Sequence, residues 1–165
     1  MVRSAVIIIG LLSSAAALAA EPVGCDKFKW PLDHERALLT TPAPAKSGDT
    51  LAAPLAHAID VALVPFTAAK LPLTPQRAPK AASSYAGFVR AAAPPQAGVY
   101  RVTLAQGAWI DVVQDGHEVA SRAFSGALGC SGLRKSVTFE LKSEPFTIQL
   151  SGTTAHNVAL VVTPD

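Results

Sequence analysis

Charges and aromatic rings are both sparse in this 165-residue sequence, at 16% Asp, Glu, Lys and Arg and 6% Phe, Trp and Tyr. Fourteen basic residues face twelve acidic ones, leaving a formal charge of +2. The two signs are interspersed and form no charged tail. That balance gives no electrostatic case for nucleic acid or for a membrane surface. Apolar runs long enough to span a bilayer are missing too: the stretch Ala5 to Leu12 is short and is interrupted by Ser13 and Ser14. Catalytic signatures are equally scarce. No H-x-H or HExxH spacing places two imidazoles on one metal. No G-x-S-x-G elbow exposes a nucleophilic serine. Asp111, Asp115, Glu118 and Glu140 are candidates for a carboxylate pair only because acids are few.

What is present begins with compartment. Arg3, the apolar run and the small residues ending in Ala17-Leu18-Ala19 read as a secretory signal peptide over residues 1–20, cut after Ala19 or Ala20. About 145 residues then remain, enough for one core, with no membrane anchor after cleavage. Only Cys25 and Cys130 offer thiols. In an exported chain such a pair invites a disulfide, with a reactive thiol and an intermolecular bond as competing readings. Both cysteines adjoin glycine. The bond would tie the mature N-terminus to a turn in the C-terminal half.

Residues 21–57 read as an N-terminal segment, with a short helix over 31–40 followed by a loop. Pro31 suits a first helical turn, Asp33 and Glu35 sit favourably near its N-terminus, and Thr41-Pro42 with Pro44 ends it. Trp30 with Leu38 or Leu39 is expected to pack against the rest. Residues 58–165 read as a β-sandwich domain. "HAIDVALVP" alternates, with Ile59, Val61 and Leu63 on one side and Asp60 on the other. The prolines of "FTAAKLPLTPQRAPKAASS" exclude a helix or a central strand there. Tyr85 and Phe88 anchor a further strand, for which alanine makes helix the rival.

From Gly98 onward strands recur at about ten-residue spacing. Tyr100, Val102 and Leu104 share one face. "AWIDVVQ" meets its return strand "HEVASRAF" through an Asp-Gly turn. Val137, Phe139 and Leu141 point inward while Ser136, Thr138 and Glu140 point outward. Phe146, Ile148 and Leu150 repeat the pattern, as do Val158, Leu160 and Val162. Seven or eight short strands without long helices specify an all-β fold, an antiparallel β-sandwich of jelly-roll or Greek-key type with one short N-terminal helix.

Two features point to binding. The glycine-rich turn before Arg134 and Lys135 offers amides and cations to an anion. Trp109 lies on the opposite face from Ile110 and Val112, where it can meet a ligand; with Trp30, Tyr85 and Tyr100 it could form a sugar-stacking face, or all four could fill the core. Trp109, Arg134 and Lys135 are therefore the candidate ligand-binding residues. The histidines, His34, His57, His117 and His156, are dispersed and suggest no metal site.

The segments "CDKFKWPLDHERALL" (25–39), "AGVYRVTLAQGAWIDVVQDG" (97–116) and "GLRKSVTFELKSEPFTIQLSG" (132–152) resemble a family of small exported proteobacterial proteins. Some of its members go under the name homogentisate 1,2-dioxygenase. The strands around "AGVYRVTL" and "PFTIQLSG" also look like the ligand-binding sandwich modules of secreted peptidases. The first resemblance implies, as an alternative, an enzyme using Fe2+ held by two histidines and a carboxylate; no catalytic residue carries over. The leading expectation is a periplasmic or secreted, non-catalytic binding module without a cofactor. Its partner would be a small molecule, a glycan or a protein of the envelope. A purely structural envelope role is the third expectation.

Overall fold

A computed structural model describes residues 20–51, 57–81 and 83–165. The signal peptide expected over residues 1–20 lies, but for Ala20, outside the described residues. The described chain forms two packed sheets, with a helix α1 at Asp33–Leu38. In chain order the strands are β1 (Ala43–Lys46), β2 (Thr50–Leu51), β3 (Ile59–Ala62), β4 (Val64–Pro65), β5 (Tyr85–Ala91) and β6 (Gly98–Leu104). They continue with β7 (Trp109–Gln114), β8 (His117–Val119), β9 (Ser121–Gly126), β10 (Lys135–Leu141), β11 (Phe146–Thr153) and β12 (Asn157–Pro164). One sheet runs β1-β3-β12-β6-β10-β9. The other runs β2-β5-β11-β7-β8, with β4 also pairing β5. Pairing is antiparallel except where the short strands β1 and β2 join β3 and β5 in parallel. This is the all-β sandwich that the spacing of turns specifies.

Alternation places the core as expected. Val61, Val102, Leu104, Val112, Ile148, Leu150, Val158 and Leu160 are fully buried between the sheets, with Phe139 and Leu141 beside them. Tyr85 to Ala91 is a strand, because Val89 and Ala91 point into that core. The β7–β8 hairpin turns at Asp115 (φ 52°) and Gly116 (φ 72°), the left-handed pair that a two-residue turn needs to match strand twist.

Four local expectations need correction. The helix covers Asp33–Leu38, not 31–40, because Leu32 (φ −136°, ψ 22°) is outside helical geometry and serves as the cap. The segment after it is more than loop: it supplies β1 and β2, and Pro44 is tolerated because β1 is an edge strand. "HEVASRAF" is not one return strand. It breaks at Ala120, where the chain leaves one sheet as β8 and enters the other as β9. Among the described residues these short and divided pieces raise the count to twelve strands, against the seven or eight expected.

The fourth correction concerns the outer faces. Ser136 and Thr138 point away from the core yet are 0% and 5% exposed. The N-terminal segment roofs that face. Trp30 Nε1 donates to Ser136 Oγ at 3.3 Å, and Lys29 N donates to Ser125 Oγ at 2.9 Å. Leu32 and Leu39 form a second apolar cluster with Leu133, Ala159 and Val161, against which Trp30 and Leu38 also pack. Glu35 is buried there, and Thr163 Oγ1 donates to its Oε1 at 2.6 Å. Arg101 stands 3.6 Å from the same oxygen and pairs with Asp165. The proline-rich loop roofs the other sheet. The main chain of Leu73 donates to Gln149 Oε1 at 2.7 Å and accepts from its Nε2 at 3.2 Å, which leaves Gln149 1% exposed. Glu140, as expected, stays in solvent, paired with Arg122.

Cys25 and Cys130 form a disulfide with Cα atoms 4.8 Å apart, closing a separation of 105 residues. Beside it Gly24 N donates to Leu128 O, and Leu128 N to Pro22 O, both at 2.8 Å. Gly24 has φ 109°, which bends the chain between that short pairing and the bridge. Among the described residues no helix is long and apolar enough to cross a membrane.

Candidate functional site

Trp109, Arg134 and Lys135 line one cleft, with a volume of about 500 Å³. The topology explains how. β8 is short and pairs only with Val112–Gln114, so Trp109, Ile110 and Asp111 have no strand beside them on that side. The gap opens toward β9 and β10 of the facing sheet. Lys135 is the first residue of β10, and Arg134 precedes it, held by a bond from its N to Leu104 O at 2.8 Å. Ile110, Val119, Val137 and Phe139 give the cleft an apolar lining. Among the described residues no histidine and no cysteine lines it.

Trp109 stands among cations. Lys135 Nζ lies 4.7 Å from its ring centroid and the Arg77 guanidinium 5.5 Å away, both within cation–π range. The indole N–H donates to Asp111 Oδ1 at 2.7 Å. Asp111 is 3% exposed, and its Oδ2 has no hydrogen-bond partner among the described residues. Burial pushes the Asp111 carboxyl above the usual carboxylate range. The hydrogen bond from Trp109, then contributions from Gln76 and Gln149 and the Lys135 charge, pull it back only in part. Burial likewise holds the Lys135 ammonium below the ordinary lysine value. The nearby charges of Arg77 and Arg134 add to that, against the attraction of Asp111 and Glu21.

The carboxylate of Glu21 reaches the cleft from the N-terminal segment and pairs with Arg134. The bridge at Cys25, four residues on, keeps that segment in place. Among the described residues neither Lys135 nor Arg77 has a carboxylate within ion-pair distance. The arrangement can attract an anion, cover an apolar group, and offer one buried carboxyl oxygen to a hydrogen-bonding group.

The structure therefore brings the three candidate residues together from two sheets. It does not unite the aromatic quartet. Tyr100 is buried in the core with its hydroxyl donating to Gln96 O at 2.8 Å, Tyr85 packs on His156, and Trp30 packs on the second apolar cluster with its N–H on Ser136. The amides expected to cradle an anion are partly engaged, since Leu133 N donates to Cys130 O and Arg134 N to Leu104 O. The side-chain cations dominate instead. Two participants escaped sequence reasoning, and Asp111 entered it only as one of four scarce acids. Arg77 and Glu21 are single charges in irregular segments, with no pattern to mark them. Asp111 carried one usable signal, an acid between apolar neighbours on a strand next to tryptophan.

His34 and His57 are exposed, His117 sits beside the hairpin turn, and His156 packs on Tyr85. Among the described residues no three His, Cys, Asp or Glu side chains gather as metal ligands. The two histidines and a carboxylate that the dioxygenase resemblance implies are not assembled there. The described residues do not fit a ferrous centre. Comparison of the chain with protein families, with curated proteins and with solved structures finds no match, so the cleft is read from its own geometry.

Proposed function

We propose that this protein is an exported, non-catalytic β-sandwich module that binds a ligand in the cleft between β7 and β10. The observation that carries this reading is the convergence of Trp109, Arg134 and Lys135, from two sheets, on one cleft of ligand size. Lys135 and Arg77, which among the described residues have no ion-pair partner, support it further. A structural role alone gives no reason to keep them there. Export to the periplasm or beyond is favoured by the leader pattern and the disulfide. The resemblance to ligand-binding modules of secreted peptidases favours the same class.

The test uses fluorescence. Trp30→Phe leaves Trp109 as the only indole, since the sequence has two tryptophans. Envelope extract is fractionated into small molecules, glycans and proteins, and each fraction is titrated against this variant. Saturable change in Trp109 emission, lost in Lys135→Gln, is the expected result. A ligand whose binding ignores Trp109 and Lys135 overturns the assignment of the site. Stoichiometric iron in purified protein, lost with a single histidine substitution, would replace binding with the enzymatic alternative.

A further inference from the structure

We infer that the cleft receives a small organic carboxylate with an apolar body, and that the protein's own Glu21 carboxylate fills the anion subsite until such a ligand displaces it. This inference rests on the cleft being the binding site. Three observations carry it.

The first is the imbalance of charge at the rim. Arg134 is 26% exposed and held by Glu21, whose own side chain is 59% exposed. An exposed partner contributes little and is readily exchanged. Lys135 and Arg77 face the same space, and among the described residues neither has a carboxylate within ion-pair distance. An incoming anion would meet Arg77, Lys80, Arg134 and Lys135 against Glu21, Asp111 and Glu118, so the lining keeps one cation in excess, and two once Glu21 is displaced. Planar carboxylates suit the guanidinium forks of Arg134 and Arg77.

The second is the lining. Ile110, Val119, Val137 and Phe139 present hydrocarbon below those cations. A bare inorganic anion would leave that surface wet. An acid with an apolar body covers it and gains about 25 cal/mol for each square ångström removed from water. The volume of about 500 Å³ suits a small molecule.

The third is the indole. Both Lys135 and Arg77 lie over Trp109, and its N–H is committed to Asp111. A ring so engaged is a poor platform for a sugar face. It is a good wall that holds two cations toward an anion. Desolvation already disfavours the Lys135 charge, so a bound carboxylate restores it. Arg77 and Arg134 push the Lys135 charge the same way, Asp111 and Glu21 oppose them, and carboxylate affinity falls as pH rises through the depressed Lys135 value.

The experiment measures octanoate and benzoate against octanamide and benzamide by Trp109 emission in the Trp30→Phe variant. Inorganic phosphate and a blocked Glu-Val peptide serve as competitors. Carboxylates are expected to bind about tenfold or more tighter than their amides. Glu21→Gln should tighten carboxylate binding about three- to tenfold by removing the internal occupant, and Arg134→Gln should weaken it about tenfold. Arg77→Gln, on an exposed loop, repeats the loss with little risk to folding, and thermal melts check both variants. Amides that bind as well as acids overturn the inference while leaving the cleft as the binding site. No saturable signal from either class up to about 10 mM overturns it, and the envelope fractions then decide the broader reading. Phosphate competing as strongly as octanoate, or unchanged affinity in Glu21→Gln, overturns the apolar-body and internal-occupant claims respectively. A peptide that outcompetes both acids replaces the small acid with an acidic segment of a protein.

Discussion

Replacing both bridge cysteines by alanine should destabilise this domain substantially. Cys25 and Cys130 are 105 residues apart, so the bridge closes most of the described chain into one loop. The chain-entropy relation gives about 4.8 kcal/mol at 25 °C for a loop of that length, acting through the unfolded state. Unfolding about 145 residues carries an entropy of about 0.3 kcal/mol per kelvin, so the melting temperature should fall by up to about 16 °C. A smaller loss has a specific structural meaning. The segment before α1 is tied down by the main-chain bonds of Gly24 and Leu128 and by Lys29 and Trp30 on the sheet face. If those contacts fail without the bridge, the reduced native state frays and regains part of the entropy. Urea unfolding of the Cys25→Ala/Cys130→Ala variant, beside native protein with and without dithiothreitol, gives the midpoint and slope. Amide exchange at Gly24 and Leu128 reports fraying. A loss under about 1 kcal/mol with those amides still protected would refute the reasoning, because neither the cross-link nor its surroundings would then constrain the chain.

Other perturbations have equally definite outcomes. Thr163→Val removes the donor to buried Glu35, leaving Arg101 at 3.6 Å, and should cost about 1–3 kcal/mol in urea unfolding, less in Glu35→Gln/Thr163→Val, where the buried carboxylate is gone. Asp111 has its carboxyl raised, so its contribution to stability is complete at low pH and is lost as pH climbs through the folded value. Asp111→Asn should therefore gain on the native protein at neutral pH and lose that advantage on acidification, read by melts across the acid range. Gln149→Ala leaves both main-chain groups of Leu73 without their partner; limited proteolysis should then cut between Leu71 and Lys80, with the sandwich core intact.

Legibility followed the physics of each segment. Strands with one apolar face were plain, because period two is imposed by the backbone itself: Val102 with Leu104 and Ile148 with Leu150 are examples. The same rule misjudged Ser136 and Thr138. Alternation says which way a side chain points and nothing about what lies above it. The roof comes from residues 29–39, distant in sequence and irregular in pattern. The break at Ala120 was hidden because β8 and β9 read as one extended run, and only the closure of two sheets decides that the chain must change layers. Within the site, Trp109 and the Arg134-Lys135 pair stood out by residue type. Their partners did not: Arg77 lies in a loop shaped by prolines, and Glu21 reaches Arg134 through main-chain pairing with Leu128 and the bridge at Cys25, neither of which its own sequence position announces.

Roofing of both sheets has a practical consequence for anyone altering this molecule. In an ordinary two-layer sandwich every second strand position tolerates a label or an added group. Here Ser136, Thr138, Gln149 and Ser151 occupy such positions and are at most 5% exposed. A fluorophore or biotin handle attached there would prise a covering layer loose. The forgiving places are the tip at Asp115-Gly116 and the bend at Ser143-Glu144, both open to water.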